Sequence, residues 1–273
     1  MIKALFFDLD GTLLNPDKEI SHKTRKTLEK CKESSIGLYI ATARPPLLDR
    51  MLSWDASTLS LFDGGSYYNG GCVILGALKT YSPVSEAIVQ KTIEQVCRYG
   101  TLNIALQLEH EKHAFRFPLE EKGWRTWGVS ADETLALNQV GNLQTIKMLV
   151  FFSNLIDSDT PISTELVQGL ERLCLGAAQF YLTDKGKCVQ IMAESVNKLS
   201  SIEKMRAALG YEKNEIAVFG DDINDMEMLS GYEYSVAMGN AGDRVKGSAQ
   251  YVTLDNNHDG IHHAICDILH LVD

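Results

Sequence analysis

The strongest constraint on this chain is where its acids fall relative to its apolar runs. Ile2 to Phe7 is a short apolar stretch of the kind that forms a buried strand, and it ends on Asp8-Leu9-Asp10-Gly11-Thr12. Far downstream, Glu215 to Phe219 is another such stretch, and it ends on Gly220-Asp221-Asp222-Ile223-Asn224-Asp225. In a parallel α/β sheet, ligands collect outside the carboxyl ends of the strands. Both acid groups follow strands directly and so fall at such ends.

The segments around these runs support a sheet of that kind. Ser21 is placed to cap a helix carrying Leu28 and Cys31 on one face. Gly37 to Ala41 is a second strand, closed by Thr42-Ala43-Arg44-Pro45. Ile202, Met205 and Leu209 recur at helical spacing, with Gly210 as the stop and Ser200-x-x-Glu203 fitting a capping box. Ser235 to Met238 and Tyr251 to Leu254 read as short strands, and Ile261, Ile265 and Ile268 as a final helix. Alternation of this sort predicts an α/β fold: a doubly wound, Rossmann-like parallel-sheet core covered on both faces. The middle differs. A helix over Val84 to Arg98 is followed by strand-like runs such as Ile146 to Phe152. Phe180 to Thr183 and Cys188 to Met192 flank a hairpin turn at Asp184-Lys185-Gly186-Lys187. We therefore expect a core of residues 1–82 and 190–273 with an inserted α+β domain at 83–189.

Composition excludes several classes of partner. The chain has 273 residues and a formal net charge of -10, so its mean field repels nucleic acid and anionic membranes. No run of about 20 apolar residues is present to span a bilayer. The apolar N-terminus meets Asp8 at once and lacks a small-residue cleavage site, which argues against a signal peptide. Six cysteines are scattered with no Cys-x-x-Cys pair, as expected of reduced thiols. Together these features predict a cytoplasmic protein; oligomeric state leaves no mark in the sequence.

Asp8 and Asp10 at the end of one strand are costly together, because like charges repel and each loses water. A divalent cation such as magnesium, which takes oxygen ligands, relieves that cost. Read alone, the run fits an Asp-Gly turn about equally well. Asp221, Asp222 and Asp225 add three carboxylates, and Asn224 an amide, where a helix N-cap needs one or two acids. The Thr42 hydroxyl and nearby N–H groups suit phosphate oxygens, although a Thr after a strand is usually structural. Lys198, ordinarily solvated surface, would among these acids neutralise charge on a transferred phosphoryl group. His110-x-x-His113 reads as part of a solvated segment rather than a metal pair. His258, His262 and His263 read as flanking the last helix. Trp124 and Trp127 fit either a pocket lining or core packing, with packing favoured.

Taken in order, Asp8-Leu9-Asp10-Gly11-Thr12, Thr42-Ala43-Arg44, Lys198 and Gly220-Asp221-Asp222-Ile223-Asn224-Asp225 resemble the four motifs of the haloacid dehalogenase-like hydrolase superfamily. The insert resembles the cap of its Cof-type branch by position and size. Tyr68-Asn69-Gly70-Gly71 and Met238-Gly239-Asn240-Ala241 look like recurring segments of that branch. The resemblance implies a phosphatase acting on a small phosphorylated metabolite, a sugar phosphate or similar phosphomonoester. Asp8 would attack phosphorus and form an aspartyl-phosphate, while Asp10 would protonate the leaving oxygen and then activate water. Magnesium would be held by the Asp8 side chain, the Asp10 backbone carbonyl and the Asp221 side chain, with Asp225 supporting it through water. Thr42 and Lys198 would bind the phosphoryl oxygens, with Ala43 and Arg44 beside Thr42 in substrate binding. Asn224 would contact the phosphoryl group or Lys198. Ala43 stands where the motif usually has Gly, and Leu199 follows Lys198 where Gly is usual; both are backbone differences that leave the reactive side chains in place. The alternatives are a sugar phosphomutase on the same fold and a non-catalytic metabolite-binding module.

Overall fold

The computed structural model describes residues 1–52, 54–153 and 160–273. Its strands, in chain order, begin with β1 (Ala4–Phe7), β2 (Gly37–Ala41), β3 (Gly64–Tyr67), β4 (Cys72–Leu75) and β5 (Leu78–Tyr81). The middle contributes β6 (Leu102–Leu108), β7 (His113–Phe115), β8 (Thr134–Ala136), β9 (Thr145–Phe152), β10 (Ala178–Thr183) and β11 (Cys188–Ala193). The chain closes with β12 (Ile216–Gly220), β13 (Tyr234–Ala237) and β14 (Tyr251–Val252). Two compact units result. One comprises Met1–Ala43, Trp54–Thr80 and Asn197–Asp273; the other comprises Arg44–Ser53 and Tyr81–Val196.

The first unit is built on an eight-stranded sheet of order β14-β13-β12-β1-β2-β3-β4-β5. From β14 to β3 every neighbouring pair is parallel. Phe7 pairs with Ile40 on one side and Phe219 on the other, so β12, β1 and β2 end level with one another. Asp8, Thr42 and Asp221 leave the sheet along that shared carboxyl edge. The sheet then adds an antiparallel hairpin, β3–β4, that the strand pattern did not announce. Tyr68, Asn69 and Gly70 take left-handed φ values of 54°, 57° and 105°, which reverse the chain within a few residues and bring Cys72 opposite Tyr67.

Both faces of the sheet are packed. Alternate residues of β1 point to opposite sides: Phe6 stacks on Tyr39 at 4.9 Å and Phe7 on Phe219 at 4.8 Å. Ala4, Phe6, Ile216 and Val218 share one apolar cluster with Ile202 and Met205 of the helix Lys198–Leu209 and with Met228 and Leu229 of the helix Met226–Gly231. Ser21 caps the helix His22–Glu33 by accepting from Thr24 N, and that helix buries Leu28 and Cys31. Gly210 ends the helix Lys198–Leu209 in the left-handed conformation, as its position predicts. The capping box is displaced from the expected Ser200–Glu203 pair. Asn197 is the cap: its Oδ1 accepts from Ser200 N at 2.8 Å, and Ser200 Oγ accepts from Asn197 N at 3.1 Å. Lys198 is already helical, so Ser200 serves as the third residue of the helix rather than its cap.

The second unit carries a six-stranded sheet of order β10-β11-β9-β6-β7-β8. Its hairpin registers Thr183 against Cys188, and Asp184, Lys185 and Gly186 all take positive φ in the turn. One face is covered by the helices Glu86–Val96 and Thr164–Cys174, which bring Ile88, Val96, Leu166 and Leu170 against Ile104, Leu106, Met148 and Ile191. On the other face Trp124 and Trp127 pack with Ala105, Phe115, Leu149 and Phe151. The two tryptophans are partly buried and pack against this cluster. The expected limit at residue 190 falls inside β11, which is paired with β10 on one side and β9 on the other, so the whole strand belongs to this unit. Residues 44–53, expected with the core, also group here.

His113 departs from the solvated segment expected of it. It is fully buried, stacks on Phe115 and meets the edge of Trp127. Burial pushes its pKa down to about 4 although Glu111 opposes the shift, so the ring is neutral. All six cysteines are free thiols, and among the described residues no helix is long and apolar enough to cross a membrane.

Candidate active site

The carboxyl edge of β12, β1 and β2 gathers the acids. Asp8, at the end of β1, is 6 % exposed. Lys198, the first residue of its helix, is fully buried, and its Nζ donates to Asp8 Oδ1 and to Asp225 Oδ1, each at 2.6 Å. A buried ammonium is tolerated only when paired. The helix start that delivers it is pinned to β3 and the turn behind it. Ser201 Oγ donates to Lys198 O at 2.8 Å and lies 2.6 Å from Ser66 Oγ. Gly70 passes so close that a Cβ there would sit 2.4 Å from Asn197 O.

Asp225 does two jobs. Its Oδ1 takes the lysine, and its Oδ2 accepts the backbone N–H groups of Asp221 and Asp222 at 3.0 and 3.1 Å. The loop can close this tightly because residue 220 is glycine: a Cβ there would lie 2.6 Å from Asp225 Cβ. Asp221 is held from the opposite side. Thr12 Oγ1 donates to Asp221 Oδ1 at 2.7 Å. Asn240 Nδ2 donates to Gly11 O at 2.9 Å and to Asp221 Oδ2 at 3.3 Å. Gly11, at φ 87°, lies against that carboxylate, where a Cβ would come within 2.3 Å of Asp221 Oδ2.

Asp8, Asp221 and Asp225 thus bring one carboxylate oxygen each within 4.8 Å of one another, the one such group among the described residues. Three ionised carboxylates around one lysine leave two negative charges in a poorly hydrated place. The pKa values register the cost. Burial, reinforced by Asp225 and Asp221, raises Asp8 well above the usual carboxylate range against the pull of Lys198. Burial and Asp225 push Asp221 up to about 7. Burial works against the Lys198 charge, yet Asp225 and Asp8 hold its pKa above that of an ordinary lysine. An all-oxygen set with two surplus negative charges fits a hard divalent cation.

The other expected residues are placed as follows. The Asp10 side chain is not among these grouped carboxylates and accepts from Lys18 Nζ at 2.8 Å. Thr42 is buried at the end of β2, its N donating to Ser66 O and its O accepting from Asn69 N. Ala43 is half-buried beside it, whereas Arg44 groups with the second unit. Asn224 is buried, but its Nδ2 donates to Asn69 Oδ1 at 2.9 Å rather than to any of the acids. Four residues of the site had no role in the sequence reading: Thr12, Lys18, Asn69 and Asn240. Asn69 and Asn240 lie in the two segments already noted as recurring, which was the one signal available for them.

Comparison with known proteins finds relatives along nearly the whole chain. A haloacid dehalogenase-like hydrolase family model matches residues 5–265. A 5-amino-6-(5-phospho-D-ribitylamino)uracil phosphatase of Bacillus subtilis, YcsE, is 25% identical over 265 residues, 97% of this chain and 94% of the relative. The solved HAD subclass IIB sugar phosphatase BT4131 superposes with a TM-score of 0.82 at 25% identity, covering 98% of this chain and 100% of its own. A haloacid dehalogenase-like hydrolase from Bacteroides thetaiotaomicron superposes with a TM-score of 0.78, also at 25% identity and over 98% and 100% of the two chains. With nearly its whole length matched and the acids of the motifs assembled on one sheet edge, the chain belongs to the haloacid dehalogenase-like hydrolase family.

Proposed function

We propose that this protein is a magnesium-dependent phosphatase that hydrolyses a small phosphorylated metabolite through an aspartyl-phosphate on Asp8. The observation that carries the reading is the buried Asp8–Lys198–Asp225 bridge with Asp221 alongside. Asp8 is desolvated and oriented, as a nucleophile needs to be. Its Oδ attacks phosphorus while the bond to the leaving oxygen breaks, and Asp10 gives that oxygen its proton. Asp10 then takes a proton from water as the water attacks the aspartyl-phosphate, releasing phosphate and restoring the Asp8 carboxylate. Lys198 and Thr42 hold the phosphoryl oxygens, with Ala43, Arg44 and Asn224 in supporting roles. Asp8, Asp221 and the Asp10 carbonyl, with Asp225 behind, would hold magnesium, which would supply positive charge at the phosphoryl oxygens.

The substrate class is a phosphomonoester of a sugar or polyol. Two matched relatives bear names that include a phosphorylated ribityl chain and a sugar phosphatase activity, which supports that class here. The second unit, as an insertion, fits the part of a cap that selects the leaving group. A cytoplasmic location belongs to the same reading and is supported by the six free thiols. The test is phosphate release from 4-nitrophenyl phosphate with magnesium, with chelator, and with Asp8→Asn. Activity that depends on magnesium and falls by at least about 10³-fold in Asp8→Asn is expected. Full activity in Asp8→Asn would sink the covalent route.

A further inference from the structure

Asn69 lies outside the four motifs, yet it joins two of the loops that carry them. It is fully buried in the turn after β3. Its N–H donates to Thr42 O at 2.9 Å, and its Oδ1 accepts from Asn224 Nδ2 at 2.9 Å. Thr42 follows β2, and Asn224 lies in the loop after β12. In the sheet order β12-β1-β2-β3, the bond to Asn224 reaches past both β2 and β1. Thr42 N donates to Ser66 O at 2.8 Å, so both backbone polar groups of Thr42 are tied to β3 and its turn. The turn is backed by the start of the next helix, where Gly70 lies against Asn197 O. The backbone of Asn69 is left-handed, φ 57° and ψ 31°, a conformation that glycine adopts most readily and asparagine tolerates. Glycine would turn the chain equally well, so the turn alone does not call for a side chain here. The amide is what glycine lacks, and Asn224 engages it.

We propose that Asn69 is a positioning residue for Thr42: by locking the Thr42 segment to the Asn224 loop, it sets the hydroxyl that donates to the phosphoryl oxygens. This rests on the phosphatase reading above. A donor stabilises a transition state only as far as its geometry is fixed beforehand, and a displacement of about 1 Å can cost about 10²-fold. The Thr42 carbonyl is fixed by Asn69, the Asn69 amide by Asn224, and Asn224 is the chain neighbour of Asp225, which binds Lys198. Thr42 and Lys198, the two groups assigned to the phosphoryl oxygens, are thereby held by one continuous set of bonds. In this role Asn69 acts through Thr42 and touches no reacting atom itself.

The test separates this bond from the other contacts that Asn69 and Thr42 make. Asn69→Gly keeps the left-handed turn and its N–H and removes the amide, while Asn224→Ala removes the same bond from its other end. Both are assayed on 4-nitrophenyl phosphate with magnesium, alone and in a Thr42→Val background. Inhibition by orthovanadate is measured alongside, because its trigonal-bipyramidal form resembles the phosphoryl group in transfer. Each variant is expected to lower kcat about tenfold and to weaken vanadate inhibition about tenfold, part of the roughly 10²-fold that a misplaced group can cost. In the Thr42→Val background neither should lower kcat by more than about twofold, because the hydroxyl they position is gone. If one variant fails to fold, the other reads the same bond. Unchanged vanadate inhibition overturns the proposal, since a loss of folded enzyme lowers the rate and leaves the inhibition constant alone. Losses that multiply with Thr42→Val overturn it too, as do two variants equal to the wild type. Wild-type protein that releases no phosphate refutes the phosphatase reading instead.

Discussion

Replacement of Lys198 by methionine probes the site most directly. The substitution keeps the apolar stem and removes the charge. Lys198 is fully buried, and the two carboxylates it bridges, each 2.6 Å away, are themselves nearly so. What remains in the variant is Asp8 and Asp225, with Asp221 close by, and no ammonium among them. Removing one partner of a buried ion pair costs about 3–5 kcal/mol. At roughly 2–4 °C per kcal/mol for a protein of this size, that is on the order of 10 °C in Tm.

The cost has a sign in pH as well as a size. Lys198 has its pKa held above the ordinary value by Asp225 and Asp8 despite burial, so its charge is constant across pH 5–8. Asp8 already has a pKa raised by burial, against the pull of the lysine. Without that pull it rises further. Lower pH favours protonation of Asp8 and Asp221, so the penalty is smaller at pH 5 than at pH 8, where they must ionise without a cation. Thermal melts of both proteins in chelator at pH 5 and pH 8 measure the difference. A loss below about 1 kcal/mol at pH 8, the size of a surface pair, would refute the assignment of Lys198 as the charge partner of these acids. So would an equal loss at both pH values.

Three further expectations concern the surroundings of Asp221. Gly11→Ala forces a Cβ to within 2.3 Å of Asp221 Oδ2 at φ 87°, so it should lower stability by about 1–3 kcal/mol and weaken magnesium binding; an unchanged Tm and magnesium titration would count against that contact. Thr12→Val removes the hydroxyl that donates to Asp221 Oδ1 while keeping its shape, and should weaken magnesium binding by about tenfold, the lower end of what ligand-orienting partners contribute, as read by calorimetric titration. The metal-free protein should lose stability as pH rises. Asp221 has a folded pKa of about 7 against 3.8 unfolded, so stability fully present below pH 3.8 is lost as pH climbs through 7. Melts in chelator from pH 5 to 8 should show Tm falling, and magnesium should flatten the curve; a Tm that rises with pH in chelator contradicts the arrangement.

What could be read from the chain, and what could not, follows from how far each signal reaches. Asp8 and Asp221 were legible because each sits directly after an apolar strand, so local pattern fixes both the element and the edge. Lys198 had the residue type of solvated surface. Its burial is decided by two carboxylates distant in sequence, which no window around position 198 contains. Asn69 was seen only as part of a recurring segment. Its function in the site is a side-chain bond to Asn224 and a backbone bond to Thr42, both made possible by a left-handed turn that the residue names alone do not specify. His113 was misread because the charged neighbours Glu109, Glu111 and Lys112 set the local tone, while an aromatic cluster drawn from β7, β9 and the helix Glu121–Trp127 buries it. The capping box moved because a box scores equally well wherever a polar residue precedes another by three, and only the helix start distinguishes Asn197 from Ser200.

The placement of Asp225 supports a division of labour among the acids that composition could not provide. A carboxylate has about four lone-pair positions. Three of those on Asp225 are taken, one by Lys198 and two by the N–H groups of Asp221 and Asp222, so its charge is already answered by the protein. Lys198 leans on Asp8 as well, but a single ammonium shared by two carboxylates neutralises only one of them. The unanswered charge lies with Asp8 and Asp221, and it amounts to two, the charge of one magnesium ion. The same count explains why the second cluster needs more acids than a metal site alone requires. Asp225 ties the loop and the lysine together, which leaves the charge of Asp221 and Asp8 unanswered by the protein, as the proposed function requires.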